Sequence, residues 1–170
     1  MRIVVSDSSC LIDLRKVSLL DALLRLPCEF LIPDTLFEDE LLKFTPAQKK
    51  SLIRSGLKVV DLPGERVLRA RAVIRLAPRL SVHDGFAFAL AESHPGCILL
   101  TGDGELRNLA TQHKMEVHGV LWVIDEIHRC RIEKERTLLA ALRSFSADST
   151  VRLPRGEVAA SIRRFSGLKR

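Results

Sequence analysis

Several features that define common protein classes are absent from this 170-residue sequence. No apolar run approaches the roughly 18 residues of a membrane-spanning helix. The first residues lack the apolar segment and cleavage site of a signal peptide, so we expect a cytoplasmic protein with no membrane association. The histidines and cysteines form neither an HExxH motif nor a CxxC pair, which argues against a zinc site or a redox dithiol. We therefore expect reduced cysteines with structural roles.

What is present favours one domain with a basic surface. A chain of this length with 46% hydrophobic residues can bury the core of a single domain. Its net charge of +6 is typical of a protein with a polyanionic partner such as RNA or DNA. Basic residues are concentrated between Arg129 and Arg170, as solvated helix faces or as a contact surface. We predict a domain over residues 1–130 and a basic helical extension over 131–170 packed on it.

Short apolar runs alternate with longer stretches of helical periodicity. The predicted strands are residues 3–6, 29–32, 57–61, 97–100 and 115–118. The predicted helices are residues 11–26, 34–43, one from Pro46 capped by Thr45, then 66–76, 81–93, 104–113, 120–129, 133–145 and 155–165. Such alternation indicates a parallel sheet with helices on both faces.

Acidic residues recur where this topology would bring them together. Asp7 follows the first strand, Asp103 follows the fourth, and the acidic run at 38–40 lies in the helix after the second. Asp84 lies in the helix that leads to the fourth strand. Ligands of open parallel sheets bind beyond the carboxyl ends of the strands, and clustered carboxylates need a cation or a proton, which favours Mg²⁺ or Mn²⁺.

Two of these acids also have a purely structural interpretation. Ser81 and Asp84 have the Ser-x-x-Asp spacing of a capping box. The Gly-Asp-Gly sequence around Asp103 is typical of a turn.

Four segments of the sequence resemble the PIN-domain family, specifically the bacterial toxin-like members of toxin–antitoxin pairs. The segments are VVSDSSCLI at 4–12, IPDTLFEDEL at 32–41, LSVHDGFA at 80–87 and ILLTGDGELR at 98–107. The last is the most specific, because an apolar strand precedes Thr-Gly-Asp and a helix. The resemblance implies a three-layer α/β/α fold with a five-stranded parallel sheet in the order 3-2-1-4-5. It also implies an Mg²⁺- or Mn²⁺-dependent endoribonuclease, acting as the toxin of such a pair.

The resemblance also implies site residues. The catalytic and metal-ligating acids would be Asp7, Glu40, Asp84 and Asp103, around one or two ions. Asp39 is the alternative to Glu40, since a helix turns about 100° per residue and the two cannot face a site equally. Ser9 and Thr101 would hydrogen-bond a ligating carboxylate. Arg107 would either contact a phosphate or pair with Asp103, one helical turn away.

The implied partners are an RNA substrate, a neutralising antitoxin protein and a second copy of the chain. The apolar stripe at 11–26 is either the homodimer surface or is simply buried. The main alternative function is a catalytically silent PIN fold that binds RNA or protein. A response-regulator receiver would need adjacent acids at the first strand, and a phosphatase of the HAD type would need an acid at Ser9.

Overall fold

The computed structural model describes residues 1–167, so Lys169 and Arg170 of the predicted extension lie outside the described residues. The central sheet comprises β1 (Arg2–Ser6), β2 (Cys28–Pro33), β3 (Lys58–Val60), β4 (Ile98–Leu100) and β5 (Glu116–His118). Neighbouring strands are parallel in the order β3-β2-β1-β4-β5, which confirms the predicted topology. Val4, Val5 and the whole of β4 are completely buried because helices cover both faces of the sheet.

Two groups of helices form the outer layers. In one, α6 (Val82–Glu92) contacts β1, β2 and β4, with α3 (Asp34–Asp39), α5 (Gly64–Leu76) and α7 (Gly104–Gln112) packed around it. In the other, α1 (Ser8–Lys16), α2 (Leu20–Leu24) and α8 (Val120–Arg129) contact one another, and α4 (Pro46–Arg54) contacts α2. The fold is the three-layer α/β/α arrangement that was predicted.

The single helix predicted over residues 11–26 is wrong, because the chain breaks between α1 and α2. Ser18 has a φ of 57°, its N–H donates to the Arg15 carbonyl, and the Leu19 N–H donates to the Leu14 carbonyl. This pair of bonds is a Schellman ending of α1, with Leu14 and Leu19 both buried. The usual signal for such an ending is glycine, and serine occupies the position here.

The helix predicted over residues 34–43 is also too long. α3 ends at Asp39, and Glu40 is its C-cap. Leu41 and Phe44 then enter the core, with 0% and 5% of their surfaces exposed. The helix therefore ends at Asp39 and Glu40, which are the two candidates for the second acid of the site.

The apolar stripe at 11–26 is largely buried within the chain. Leu14, Leu19 and Leu23 are at most 1% exposed, and the two helices that carry the stripe pack against each other and against α8. Burial is therefore the correct one of the two interpretations, and the stripe is not a free dimer surface. Large exposed apolar side chains lie elsewhere, at Leu42, Ile53, Leu68, Leu76 and Val82.

The C-terminal residues pack on the same body. α9 (Glu135–Ala147) contacts α8, and α10 (Arg155–Phe165) packs on α9. Leu138, Leu142 and Phe145 join the core that surrounds the sheet. Across residues 1–167, no helix has the length and apolar character needed to cross a membrane. The four cysteines are free thiols.

Candidate active site

The carboxyl ends of β1 and β4 meet at Asp7. This residue N-caps α1, and its Oδ1 accepts hydrogen bonds from the Cys10 N–H at 3.3 Å and from Ser9 Oγ at 2.7 Å. Thr101, which follows β4, donates its hydroxyl to Asp7 Oδ2. Asp7 is only 4% exposed. A buried carboxylate is thus held at both oxygens by neutral donors.

The same two hydroxyls hold the loop after β4 against the start of α1. Thr101 Oγ1 accepts from the Asp103 N–H at 3.0 Å, and Ser9 Oγ accepts from the Gly102 N–H at 3.1 Å. A Cβ at Gly102 would lie 3.2 Å from Ser9 Oγ, so glycine permits this close approach. The position of Asp103 is therefore fixed relative to Asp7 by Ser9 and Thr101.

Asp103 and Asp84 each cap a helix with one carboxylate oxygen. Asp103 Oδ1 accepts from the Leu106 N–H at 2.8 Å. Asp84 Oδ2 accepts from the Ser81 N–H at 2.7 Å and from Ser81 Oγ at 2.8 Å, and the capping box is complete. Within the described residues, no donor reaches Asp103 Oδ2 or Asp84 Oδ1. Each acid can therefore stabilise its helix and still offer an oxygen to a ligand.

Glu40 and Asp39 differ in what they contact. Ser8 donates its hydroxyl to Glu40 Oε2, which links Glu40 to the residue next to Asp7. His83 lies between the two acids, with Nδ1 3.5 Å from Glu40 Oε1 and Nε2 3.1 Å from Asp39 Oδ2. The Glu40 side chain is 31% exposed and the Asp39 side chain 61% exposed. Glu40 is thus closer to the Asp7 network.

The surroundings of Asp7 change the pKa of its carboxyl group. Burial raises its pKa from the ordinary value of 3.8 to about 6, because the buried carboxylate loses its hydration. Hydrogen bonds from Thr101, Ser9 and the Cys10 N–H oppose this rise in pKa, whereas the negative charge of Asp84 adds to it. The ionised form of Asp7 is therefore costly unless positive charge is supplied.

The structure supplies little positive charge of its own. Asp39 and Glu40 approach His83, but Asp7, Asp84 and Asp103 form no ion pair with any Lys, Arg or His of residues 1–167. Carboxylate oxygens are the donors that Mg²⁺ and Mn²⁺ take, so the chemistry of the side chains fits such an ion. In the described part of the chain, however, no three acidic, His or Cys side chains are gathered closely enough to hold a metal.

Other residues near the site correct or extend the sequence interpretation. Arg107 does not pair with Asp103 in the described structure, and its Nη2 donates to the Thr101 carbonyl at 3.2 Å. Sequence reasoning missed Ser8 and His83, which contact the acids at the end of α3. It also missed Arg152, which lines a cavity of about 180 Å³ with Asp103. Ser8 could have been suspected from its place beside Asp7, whereas the other two are brought in by packing alone.

Comparison with known families agrees with the fold. A family model described as a PIN domain matches residues 3–166, a span that includes α9 and α10. No curated protein matches the sequence. From the match across nearly its whole length and from its sheet order, the chain belongs to the PIN-domain family.

Proposed function

We propose that the protein is an Mg²⁺- or Mn²⁺-dependent endoribonuclease that hydrolyses phosphodiester bonds of RNA. PIN domains are generally nucleases, which supports this class of reaction. The observation that carries the proposal is Asp7, a buried carboxylate joined through two hydroxyls to the Asp103 loop and unpaired with any described basic side chain. A group of this kind is stabilised in its charged form by a cation.

We assign four acids to catalysis and metal binding, namely Asp7, Glu40, Asp84 and Asp103. Glu40 is preferred to Asp39 because it contacts Ser8 and is the less exposed of the two. When bound, a divalent cation would lower the pKa of a water molecule and neutralise charge at the phosphate. Ser9 and Thr101 orient Asp7, and their hydrogen bonds favour its charged form.

Thr101→Val tests the positioning role of the buried hydroxyl. The shape of the side chain is kept, but Asp7 loses a donor, so we expect Mn²⁺ affinity and cleavage to fall about 10- to 100-fold. Titration calorimetry measures the affinity. Thr111→Val is the matched control, because the Thr111 hydroxyl donates only to the Arg107 carbonyl of its own helix. Equal Mn²⁺ affinity in the wild type and Thr101→Val would remove Thr101 from the proposal.

The activity itself is tested with a labelled structured RNA in Mg²⁺, in Mn²⁺ and in EDTA. We expect metal-dependent cuts in single-stranded or loop segments, where the backbone can be drawn into a site more readily than in a duplex. Cleavage that persists in EDTA would contradict the proposal. Metal binding without cleavage of any RNA would favour the alternative function, a silent PIN fold that binds RNA or protein.

We further propose that the protein is the toxin of a toxin–antitoxin pair. The antitoxin would cover the four acids Asp7, Glu40, Asp84 and Asp103, and the active assembly would be a homodimer. A short neighbouring reading frame for a DNA-binding peptide would support the pair. Light scattering at tens of micromolar measures the assembly, and the mass of a single chain would contradict the dimer. Leu14, Leu19 and Leu23 of α1 and α2 are buried within the chain, so they are not available to the dimer surface.

A further inference from the structure

A second cavity, of about 420 Å³, opens beside the candidate active site at the starts of α7, α8 and α10. Its volume is within the range of small-molecule sites, roughly 300–1,000 Å³. Its charged and aromatic lining side chains are those of Arg107, His118, Trp122, Arg152 and Glu157. None of these residues belongs to the acidic set, so the cavity is a distinct surface.

The cavity adjoins the smaller cavity at Asp103. Gly102 and Arg152 line both this cavity and the smaller one that contains Ser9 and Asp103. A chain molecule bound at Asp103 would therefore reach the larger cavity past Gly102 and Arg152. RNA is such a molecule, and the neighbouring nucleotide is the part that would reach it.

Two guanidinium groups line the cavity without ion-pair partners in residues 1–167. Arg107 is held by the Thr101 carbonyl and rests against Gly119, where a Cβ would lie 3.0 Å from its Nη2. Arg152 lies on the α9–α10 connection, and Glu157, in the first turn of α10, also lines the cavity. Guanidinium groups match the geometry of phosphate oxygens, which take two hydrogen bonds at once.

The connection that carries Arg152 is anchored. Lys16 Nζ lies 3.3 Å from Asp148 Oδ2 and donates to Thr150 Oγ1 at 2.7 Å. Val151 is buried, with 8% of its surface exposed. Arg152 is thus placed beside the Asp103 loop by the contacts of the residues that directly precede it. This placement gives the C-terminal residues a role that their sequence does not reveal.

The cavity also has a flat aromatic surface. The rings of His118 and Trp122 stack with centroids 4.7 Å apart and planes 12° apart. His118 Nε2 lies 2.8 Å from Glu116 Oε1, which fixes the orientation of the ring. Aromatic rings stack with nucleobases of any sequence, because every base has a π face. α8 begins here after its N-cap Gly119, without a side-chain cap and without an acid in its first turn, which adds a weak preference for anions.

We propose that this cavity binds one nucleotide of a single-stranded RNA adjacent to the cleaved bond. Arg107 and Arg152 hold its phosphate, and Trp122 stacks on its base. The inference rests on the proposed function, since it names a subsite for the same substrate. Its test is independent of cleavage, because binding can be measured in EDTA, where the proposed metal-dependent cleavage does not occur.

Trp122 is the single tryptophan of the chain and reports on the cavity directly. The probe is a 2′-O-methyl hexanucleotide, titrated in EDTA, with binding followed by Trp122 fluorescence and by anisotropy of a label on the strand. We expect quenching of Trp122 that saturates together with the anisotropy. Arg152→Gln should weaken binding about tenfold and lower the salt slope by about 0.7, the value for one phosphate of a single strand.

The matched control is Arg54→Gln, which removes the same charge from the end of α4, beside the opposite edge of the sheet. It should leave the salt slope unchanged.

Trp122→Ala should weaken anisotropy-detected binding about tenfold, and Trp122→Phe should restore most of it, with thermal melting as the check on folding. Unchanged Trp122 fluorescence at millimolar strand, or equal effects of Arg152→Gln and Arg54→Gln, would overturn the subsite even if the enzyme cleaves RNA. Quenching of Trp122 without cleavage of any RNA would support the subsite and would contradict only the proposed nuclease activity.

Discussion

Asp103→Asn should lower the rate of RNA cleavage on the order of 1,000-fold, about 4 kcal/mol of transition-state stabilisation, while the protein stays folded. Asparagine caps a helix about as well as aspartate, so the bond from the Leu106 N–H to the side chain is preserved. What is lost is the negative charge on the second oxygen, which no described donor contacts. Single-turnover cleavage of a labelled RNA measures the effect.

Two companion variants separate charge from capping. Asp103→Ala removes both and should lose about 1 kcal/mol of stability as well as activity. Asp21→Asn removes an exposed acid from the first turn of α2, far in sequence from the site segments, and should change neither property. If Asp103→Asn retained cleavage within about threefold of the wild type, Asp103 would be a helix cap only.

Asp7→Asn should stabilise the metal-free protein at neutral pH by about 1–3 kcal/mol. The rise of the Asp7 pKa from 3.8 to about 6 corresponds to roughly 3 kcal/mol. Because the folded state binds this proton more tightly, the stabilising contribution is complete below the unfolded pKa and is lost as pH rises through about 6. Asparagine carries no such penalty, although Thr101 must then reorient its hydroxyl. Urea unfolding in EDTA at pH 4 and pH 7 measures the difference, which should be small at the lower pH.

Mn²⁺ should make the wild type more stable than Asp7→Asn, which reverses their order of stability in EDTA. A ligand at 100 times its dissociation constant adds about 2.7 kcal/mol to the folded state that binds it. The wild type should gain this stability, and Asp7→Asn should gain little, since it lacks the buried charge. Equal stabilisation of both proteins by Mn²⁺ would place the metal elsewhere. A wild type already more stable than the variant at pH 7 in EDTA would contradict the cost assigned to burial.

Several local details escaped sequence reasoning for identifiable reasons. The apolar periodicity at 11–26 continues through the break at Ser18, because buried leucines lie on both sides of it, so periodicity could not reveal the ending of α1. Asp39 is the last residue of α3 and Glu40 is its C-cap, so the fixed rotation per residue assumed for a helix over 34–43 does not extend past Glu40. Arg107 lies one turn from Asp103, but the Thr101 carbonyl attracts its guanidinium instead.

The sequence by itself determined the sheet and the positions of Asp7, Asp84 and Asp103 at the ends of elements. The alternation of strands and helices and these positions follow from patterns a few residues long, namely apolar runs, caps and turns, which local chemistry decides, whereas the strand order was implied by the resemblance to the PIN-domain family. Only the tertiary structure decided which residues far apart in sequence lie together. It placed Thr101 on Asp7, His83 between Asp39 and Glu40, and Arg152 beside Asp103. Each of these contacts joins residues more than 40 positions apart, and the energies that select them come from burial and packing of the whole chain, which no short pattern encodes.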